Sequence, residues 1–118
     1  MARLLLLEPR LWDFRLRTGR AIVGRRPAAL GLEALPVSKT WTEEPFFHTV
    51  QGGVDYLVLP LVWLARDHFE LLSDGARWSM RDLGSHCGIE INGEKVAGWR
   101  PLADGDRLMF GRMQFFID

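Results

Sequence analysis

Arginine is the residue type whose placement in this sequence most directly suggests chemistry. The chain has thirteen arginines and two lysines among its 118 residues. No acidic residue stands between Asp13 and Glu33, and that stretch contains the arginines at positions 15, 17, 20, 25 and 26. A guanidinium presents N–H donors in a planar fork that fits phosphate or carboxylate oxygens. The stretch therefore indicates an anion-facing edge, although a solvated strand face explains Arg15 and Arg17 better.

Serine, histidine and cysteine stand together in the segment Gly84-Ser85-His86-Cys87-Gly88. A nucleophile elbow would need glycine at the first position of a Gly-x-Ser-x-Gly frame, and Leu83 occupies that position. Cys87 is the only cysteine, so the chain has neither Cys-x-x-Cys spacing for zinc nor an internal disulfide. The sequence therefore predicts no enzyme, no metal or other cofactor, and a reducing compartment, which we take to be the cytoplasm.

Composition limits the class of protein. The 15 lysines and arginines balance the 15 acidic residues, which argues against a polybasic nucleic-acid binder. The longest apolar stretch, residues 56–65, is about half as long as a bilayer span, and the apolar residues 4–7 are too few for a signal peptide. We predict a single domain, residues 1–118, with no nucleic-acid partner and no membrane insertion.

Short apolar runs separated by glycine, proline and other turn residues extend along the chain, which is typical of many short strands. In residues 14–17 and 78–81 apolar and polar side chains alternate, as in strands with one buried face. Asn92-Gly93 is the strongest hairpin signal, because both residues tolerate positive φ angles. The sequence predicts an all-β sandwich or barrel with strands at residues 4–7, 14–16, 21–23, 69–72, 78–80, 89–91, 107–110 and 113–117.

One segment fits two secondary structures. Residues 60–72 place Leu61, Leu64, His68 and Leu71 at helical spacing, between a proline and a later glycine that suit the two helix ends. Residues 69–72 alone also fit a strand. Periodicity therefore leaves helix and strand open here.

Several short motifs follow one another in a recognisable order. Gly24-Arg25 comes first, and Arg66-Asp67-His68 precedes Trp78 by a fixed step. Asp82-Leu83-Gly84-Ser85, Asn92-Gly93 and the Leu-Ala-Asp-Gly-Asp run of residues 102–106 follow. This order and spacing resembles the forkhead-associated (FHA) domain. The resemblance implies a β-sandwich of about eleven antiparallel strands whose loops at one end bind phosphothreonine-containing peptides, in Ser/Thr kinase signalling of the bacterial type.

The resemblance also implies roles for individual residues. The residues expected to contact the phosphopeptide are Arg25, Arg66, Ser85, His86 and Cys87. The residues expected to brace the binding loops are Gly24, His68, Asn92 and Gly93.

Differences from the family pattern leave a second function open. Ala65 stands where the family has a phosphate-binding serine. Cys87 stands where the family has an asparagine that holds the ligand backbone, and Ile89 replaces a threonine. Each lost hydrogen bond to a ligand costs on the order of 1–3 kcal/mol. The alternative is a degenerate FHA domain that acts as a phospho-independent scaffold or oligomerisation unit.

An insertion at about residues 35–62 separates Arg25 from Arg66. It contains Ser38, a second candidate for the phosphate-binding hydroxyl, and several aromatic residues. Aromatic side chains on such a segment suit either additional core or a partner interface. Residues 55–60 fit an edge strand that could join a second copy of the chain. The expected partners are therefore a phosphothreonine protein or peptide and, in the alternative, a homo-oligomer formed through the insertion.

Overall fold

The computed structural model describes residues 3–8, 12–31, 46–61, 64–110 and 113–117. Within these ranges the chain forms β-strands and a short 3-10 helix at Ala28–Leu30. The strands are β1 (Arg3–Glu8), β2 (Trp12–Arg15), β3 (Arg20–Gly24), β4 (Phe47–Gln51), β5 (Val54–Val58), β6 (Phe69–Ser73), β7 (Trp78–Asp82), β8 (Glu90–Ile91), β9 (Glu94–Lys95), β10 (Arg100–Pro101), β11 (Arg107–Phe110) and β12 (Met113–Ile117). No helix in the described ranges is long and apolar enough to cross a membrane.

The strands form two six-stranded sheets. The first has the order β2-β1-β12-β11-β8-β9, and the second has the order β10-β7-β6-β3-β5-β4. Neighbouring strands run antiparallel, except that β3 and β5 run parallel. The predicted all-β sandwich is confirmed, with one parallel pair that the sequence did not predict.

Aromatic residues of both sheets fill the shared core. Phe14, Phe110 and Phe115 come from the first sheet and Phe69 from the second, and all four are buried. The rings of Phe110 and Phe115 stack with centroids 5.3 Å apart, and Phe69 meets Phe110 edge to face at 5.0 Å. The predicted alternation at residues 14–17 is also confirmed, because Phe14 and Leu16 are buried and the arginines after them are exposed.

The segment that fits two secondary structures forms a strand. Residues 69–73 form β6 between β3 and β7, and Phe69 and Leu71 are fully buried. The described part of residues 60–68 contains no helix, so the helical alternative is wrong. The strand is preferred because two neighbouring strands satisfy its backbone groups while alternate side chains reach the core.

Strands β4 and β5 form a hairpin whose place in the sheet corrects the sequence interpretation. Gly52 and Gly53, with φ angles of 57° and 76°, form its turn. β5 lies inside the sheet between β3 and β4, so residues 55–60 are not an edge strand, and the edge is β4. All five residues of β5 are buried, which explains why they lack the alternation of a half-exposed strand. Ser38 and the rest of residues 35–45 lie outside the described residues.

Candidate functional site

The end of β3 meets the loop of residues 64–67, which we call the arginine loop, backbone to backbone. The amide of Arg25 donates to the Ala65 carbonyl at 2.9 Å, and the amide of Arg26 donates to the Arg66 carbonyl at 3.3 Å. Glycine is required at position 24, because a Cβ there would overlap the Arg66 carbonyl group. Residues far apart in the sequence are therefore held side by side.

This approach brings Arg25, Arg26 and Arg66 near enough for the charges of Arg26 and Arg66 to act on Arg25. Arg25 Nε donates to the Leu64 carbonyl at 3.0 Å, which fixes the Arg25 side chain along the arginine loop. Burial lowers the pKa of Arg25, and the positive charges of Arg26 and Arg66 lower it further. Among the described residues, no carboxylate pairs with the Arg25 guanidinium. Like charges crowded on a partly buried surface are stabilised by an anion bound between them.

His68 joins the arginine loop to the loop of residues 83–89, which we call the serine loop. The Ala65 amide donates to His68 Nδ1 at 3.1 Å, so the ring proton sits on Nε2 and is donated to the Gly88 carbonyl at 3.1 Å. His68 is fully buried, and this burial lowers its pKa although the Gly88 carbonyl and the Asp82 charge both act to raise it. The neutral imidazole thus fixes the distance between the two loops.

The serine loop is built around a carboxylate. Asp82 Oδ1 accepts from the Ser85 amide at 3.1 Å and from the Ser85 hydroxyl at 2.6 Å. The Ser85 Oγ in turn accepts from the Gly88 amide at 3.0 Å. The Ser85 hydroxyl is therefore engaged within its own loop, whereas the side chains of His86 and Cys87 are exposed.

Asn92 and Gly93 form the turn between β8 and β9, with φ angles of 52° and 86°. Asn92 Oδ1 accepts from the Arg107 amide at 3.0 Å, and Asn92 Nδ2 donates to Asp106 at 2.9 Å. Arg107 begins β11, and Phe110 at the other end of that strand lies against His68 with ring centroids 5.2 Å apart. The three residue steps from Arg107 to Phe110 span roughly 10 Å along the strand. The predicted hairpin is confirmed, and Asn92 fastens it to the start of β11, the end of that strand opposite Phe110 and His68.

The structure brings most of the sequence-predicted site residues together. Arg25, Arg66 and Gly24 meet directly, and His68 connects them to the serine loop with its three predicted residues. Ser38 lies outside the described residues. Arg26, which the sequence analysis did not select, also joins the arginine loop through its amide, and the available signal was its position directly after the Gly24-Arg25 motif. Among the described residues, no cluster of His, Cys, Asp and Glu could hold a metal ion.

Comparison with known proteins agrees with this geometry. The family model described as FHA domain matches residues 54–111. The chain carries an FHA domain. The match begins at the first residue of β5 and includes the arginine loop, His68 and the serine loop, whereas Arg25 lies before it. No curated protein matches the chain.

Solved structures, including FHA domains, share the fold over at least 98% of the chain. The FHA domain of FhaA, solved in complex with the intracellular domain of Rv3910, is 24% identical with a TM-score of 0.69, and the match covers 100% of each chain. The FHA domain of the CT664 protein from Chlamydia trachomatis is 20% identical with a TM-score of 0.67, covering 98% of this chain and 94% of that one. EmbR of Mycobacterium tuberculosis, solved with a low-affinity phosphopeptide, is 18% identical with a TM-score of 0.65, covering 99% of this chain and 24% of its own.

Proposed function

We propose that this FHA domain is a protein-interaction module that binds phosphothreonine-containing peptides through Arg25 and Arg66. The observation that carries the proposal is the backbone contact between the end of β3 and the arginine loop, which places Arg25, Arg26 and Arg66 near enough for the charges of Arg26 and Arg66 to act on Arg25. FHA domains are phosphopeptide-binding modules, and one similar structure contains a phosphopeptide. The cellular setting that we propose is Ser/Thr kinase signalling in a bacterial cytoplasm, with no catalytic activity of the domain itself.

Charge and burial support a phosphate ligand. A phosphate monoester carries about −1.5 to −2 charges at neutral pH and offers three acceptor oxygens. Arg25 Nε is already engaged by the Leu64 carbonyl, and this bond orients the remaining N–H groups of the fork. Burial contributes most to the lowered pKa of Arg25 and the charges of Arg26 and Arg66 lower it further, and a doubly charged anion relieves this repulsion. A neutral threonine hydroxyl cannot do this, so binding should depend on phosphorylation.

The serine loop supplies the surface for the peptide on either side of the phosphothreonine. His86 and Cys87 are exposed on this loop, and His68 holds it at a fixed distance from the arginine loop. Ser85 shapes the loop through its bonds to Asp82 and Gly88 and contributes to binding in this indirect way. Ser38 remains a predicted source of a hydroxyl for the phosphate.

Titration of peptides tests this function. A degenerate phosphothreonine library and the matching unphosphorylated library are titrated by fluorescence anisotropy, and the best phosphopeptide is then measured with variants. We expect binding of the phosphorylated peptides only, and a loss of at least about tenfold in affinity for Arg25→Ala, or about 1.4 kcal/mol. The control is Arg77→Ala, because Arg77 is exposed in the turn after β6, at the strand end away from the arginine loop.

Two outcomes would refute the phosphothreonine function. One is equal affinity for phosphorylated and unphosphorylated peptides, and the other is unchanged phosphopeptide binding by Arg25→Ala in a folded variant. The Arg77→Ala control separates a local effect from a general loss of positive charge.

A phospho-independent scaffold is the second candidate, and the chemistry of the two loops favours it. Ala65 has no hydroxyl, Cys87 has no amide group, and the Ser85 hydroxyl is engaged within its loop. A homo-oligomer formed through residues 35–62 would involve β4, the sheet edge in the described part of that segment. Light scattering tests the oligomerisation form of this candidate, because that form requires a dimer or larger species at high protein concentration, whereas the peptide-binding proposal does not.

A further inference from the structure

Arg26 occupies a place at the site that the proposed function leaves without a role. Its amide donates to the Arg66 carbonyl, so Arg26 is fastened to the arginine loop just as Arg25 is. The Arg26 side chain is half-buried, and its Nε is a buried donor without a hydrogen-bond partner among the described residues. Because this Nε is buried, a ligand would meet the terminal Nη groups of Arg26, which are not among the buried unpaired atoms and have no hydrogen-bond partner among the described residues. A guanidinium with unpaired N–H groups beside two other arginines requires an explanation.

Hydroxyl groups that could donate to a phosphate are scarce on the arginine loop and the serine loop. The arginine loop consists of Leu64, Ala65, Arg66 and Asp67, none of which carries a hydroxyl. The hydroxyl of Ser85 donates to Asp82 and accepts from Gly88, so both of its functions are used within the serine loop. Among the described residues of these two loops, donors to a phosphate must therefore come mainly from guanidinium groups and backbone amides.

We propose that Arg26 is a third phosphate ligand, which supplies the donor and the charge that a hydroxyl on the arginine loop would otherwise supply. This inference rests on the proposed phosphothreonine function. A site made of three guanidinium groups recognises a dianion by charge. It binds a phosphoryl group and rejects a carboxylate at the same position, because a carboxylate has one negative charge and fewer acceptor oxygens.

The test uses two probes. One is the tightest peptide from the phosphothreonine library, together with the same peptide carrying glutamate in place of phosphothreonine. The other is N-acetyl-phosphothreonine amide, which reports contacts to the phosphorylated residue without the flanking peptide. Both are titrated into the wild-type chain and into Arg26→Gln, Arg26→Lys and the control Arg77→Gln.

We expect Arg26→Gln to lower the affinity for both phosphorylated probes at least about tenfold. Arg26→Lys should lower it less, because lysine keeps the positive charge and loses only the planar fork of the guanidinium group. The glutamate peptide should not bind. Raising the salt concentration should weaken phosphopeptide binding by the wild-type chain more than binding by Arg26→Gln, because the variant has one positive charge fewer at the contact. Ala65→Ser should restore part of the affinity when combined with Arg26→Gln.

The free energy of unfolding separates a ligand role from a structural one. Arg26 Nε has no bond to lose, so Arg26→Gln should unfold at an unchanged urea concentration while its phosphate affinity falls. A destabilised Arg26→Gln with wild-type affinity, or a stable one with unchanged affinity, would overturn this inference while leaving the proposed function intact. A wild-type chain that binds neither phosphorylated probe would instead refute the proposed function.

Discussion

At the scale of single residues, Gly24 determines whether the site forms. It lies where β3 and the arginine loop approach too closely for any side chain, and its carbonyl also accepts from the Leu59 amide at 2.9 Å. The backbone bonds of Arg25 and Arg26 to the arginine loop depend on that approach. The requirement for glycine is therefore steric, since its φ is not in the left-handed region.

We predict that Gly24→Ala destabilises the chain by about 3 kcal/mol, because a Cβ that meets backbone must displace it. It should also abolish phosphopeptide binding, since Arg25 and Arg66 move apart. Urea unfolding followed by tryptophan fluorescence measures the first effect and anisotropy the second.

The matched control is Gly19→Ala, where the nearest atoms to a Cβ belong to Ser73 at 3.9 Å. This variant should keep both stability and affinity. Equal losses in the two glycine variants would show that the close approach at Gly24 is unimportant.

His68 makes the stability of the domain depend on pH. Its pKa is lowered below the usual value of about 6.5 because the ring is buried, so the folded state favours the neutral form. This contribution to the free energy of unfolding is fully present above about pH 6.5, and it is lost as the pH falls through the lowered pKa of the folded state. Protonation would also remove the Nδ1 acceptor that the Ala65 amide uses.

We predict that His68→Gln costs about 1–3 kcal/mol near neutral pH, because a buried donor and acceptor lose their partner. The variant should also lose part of the rise in unfolding free energy between pH 5 and pH 7. Urea titrations at several pH values measure this. His86→Gln, in the exposed part of the serine loop, should keep the wild-type pH profile, and an identical profile in His68→Gln would contradict the assignment.

At the scale of the strands, a buried carboxylate fastens the β4–β5 hairpin to the chain before β3. Asp55 is fully buried and accepts from the Arg17 amide at 3.1 Å, from the Thr18 hydroxyl at 2.7 Å and from the His48 ring at 2.6 Å. Burial alone would raise the pKa of Asp55, but the hydrogen bonds from Thr18, Arg17 and His48 outweigh burial and lower it. The parallel pairing of β3 with β5 is thereby held at the strand end opposite Gly24.

We predict that Asp55→Asn lowers the free energy of unfolding by about 3 kcal/mol, because one acceptor becomes an NH₂ group that faces backbone donors. The wild-type contribution is present above about pH 4 and is lost as the pH falls through the lowered pKa of the folded state. Thermal unfolding at pH 7 and at pH 3 measures both effects. Asp104→Asn, in an exposed turn, serves as the control and should be neutral.

The strands that the sequence predicted are those with a strong local signal. Residues 14–17 alternate in burial as predicted and overlap the end of β2, and Asn92-Gly93 forms the predicted tight turn. β4 was missed although Gly52-Gly53 follows it, because its pairing with β5 and its place at the sheet edge are not encoded locally. β9 and β10 are two residues each, too short to show any period.

Only the candidate site residues that belong to sequence motifs could be predicted. Arg25, Arg66 and His68 follow from the family pattern, and the structure brings them together. The unpaired Nε of Arg26 and the engaged hydroxyl of Ser85 depend on contacts between distant residues, so no spacing in the sequence could indicate them.

At the scale of the whole molecule, a net charge of zero conceals an uneven distribution. Outside the site, Glu70 is buried and pairs with both Arg20 and Arg81, and the Arg81 guanidinium lies 4.7 Å from the ring centre of Trp99. At the site, neither Arg25 nor Arg26 forms an ion pair within the described residues. Among the described residues, charge is thus paired on the face of a sheet and left without ion pairs at Arg25 and Arg26, and such a local excess of positive charge is compatible with a net charge of zero.

Backbone NMR during titration with the selected phosphothreonine peptide tests this account most directly, because it locates the ligand on the whole molecule. We expect shifts concentrated in residues 24–26, the arginine loop and the serine loop, with none in the turn of residues 74–77 or at Asn92-Gly93. The unphosphorylated peptide should cause no shifts. Shifts centred on another face, or the same shifts with both peptides, would contradict the claim that this end of the sandwich is a phosphate-binding site.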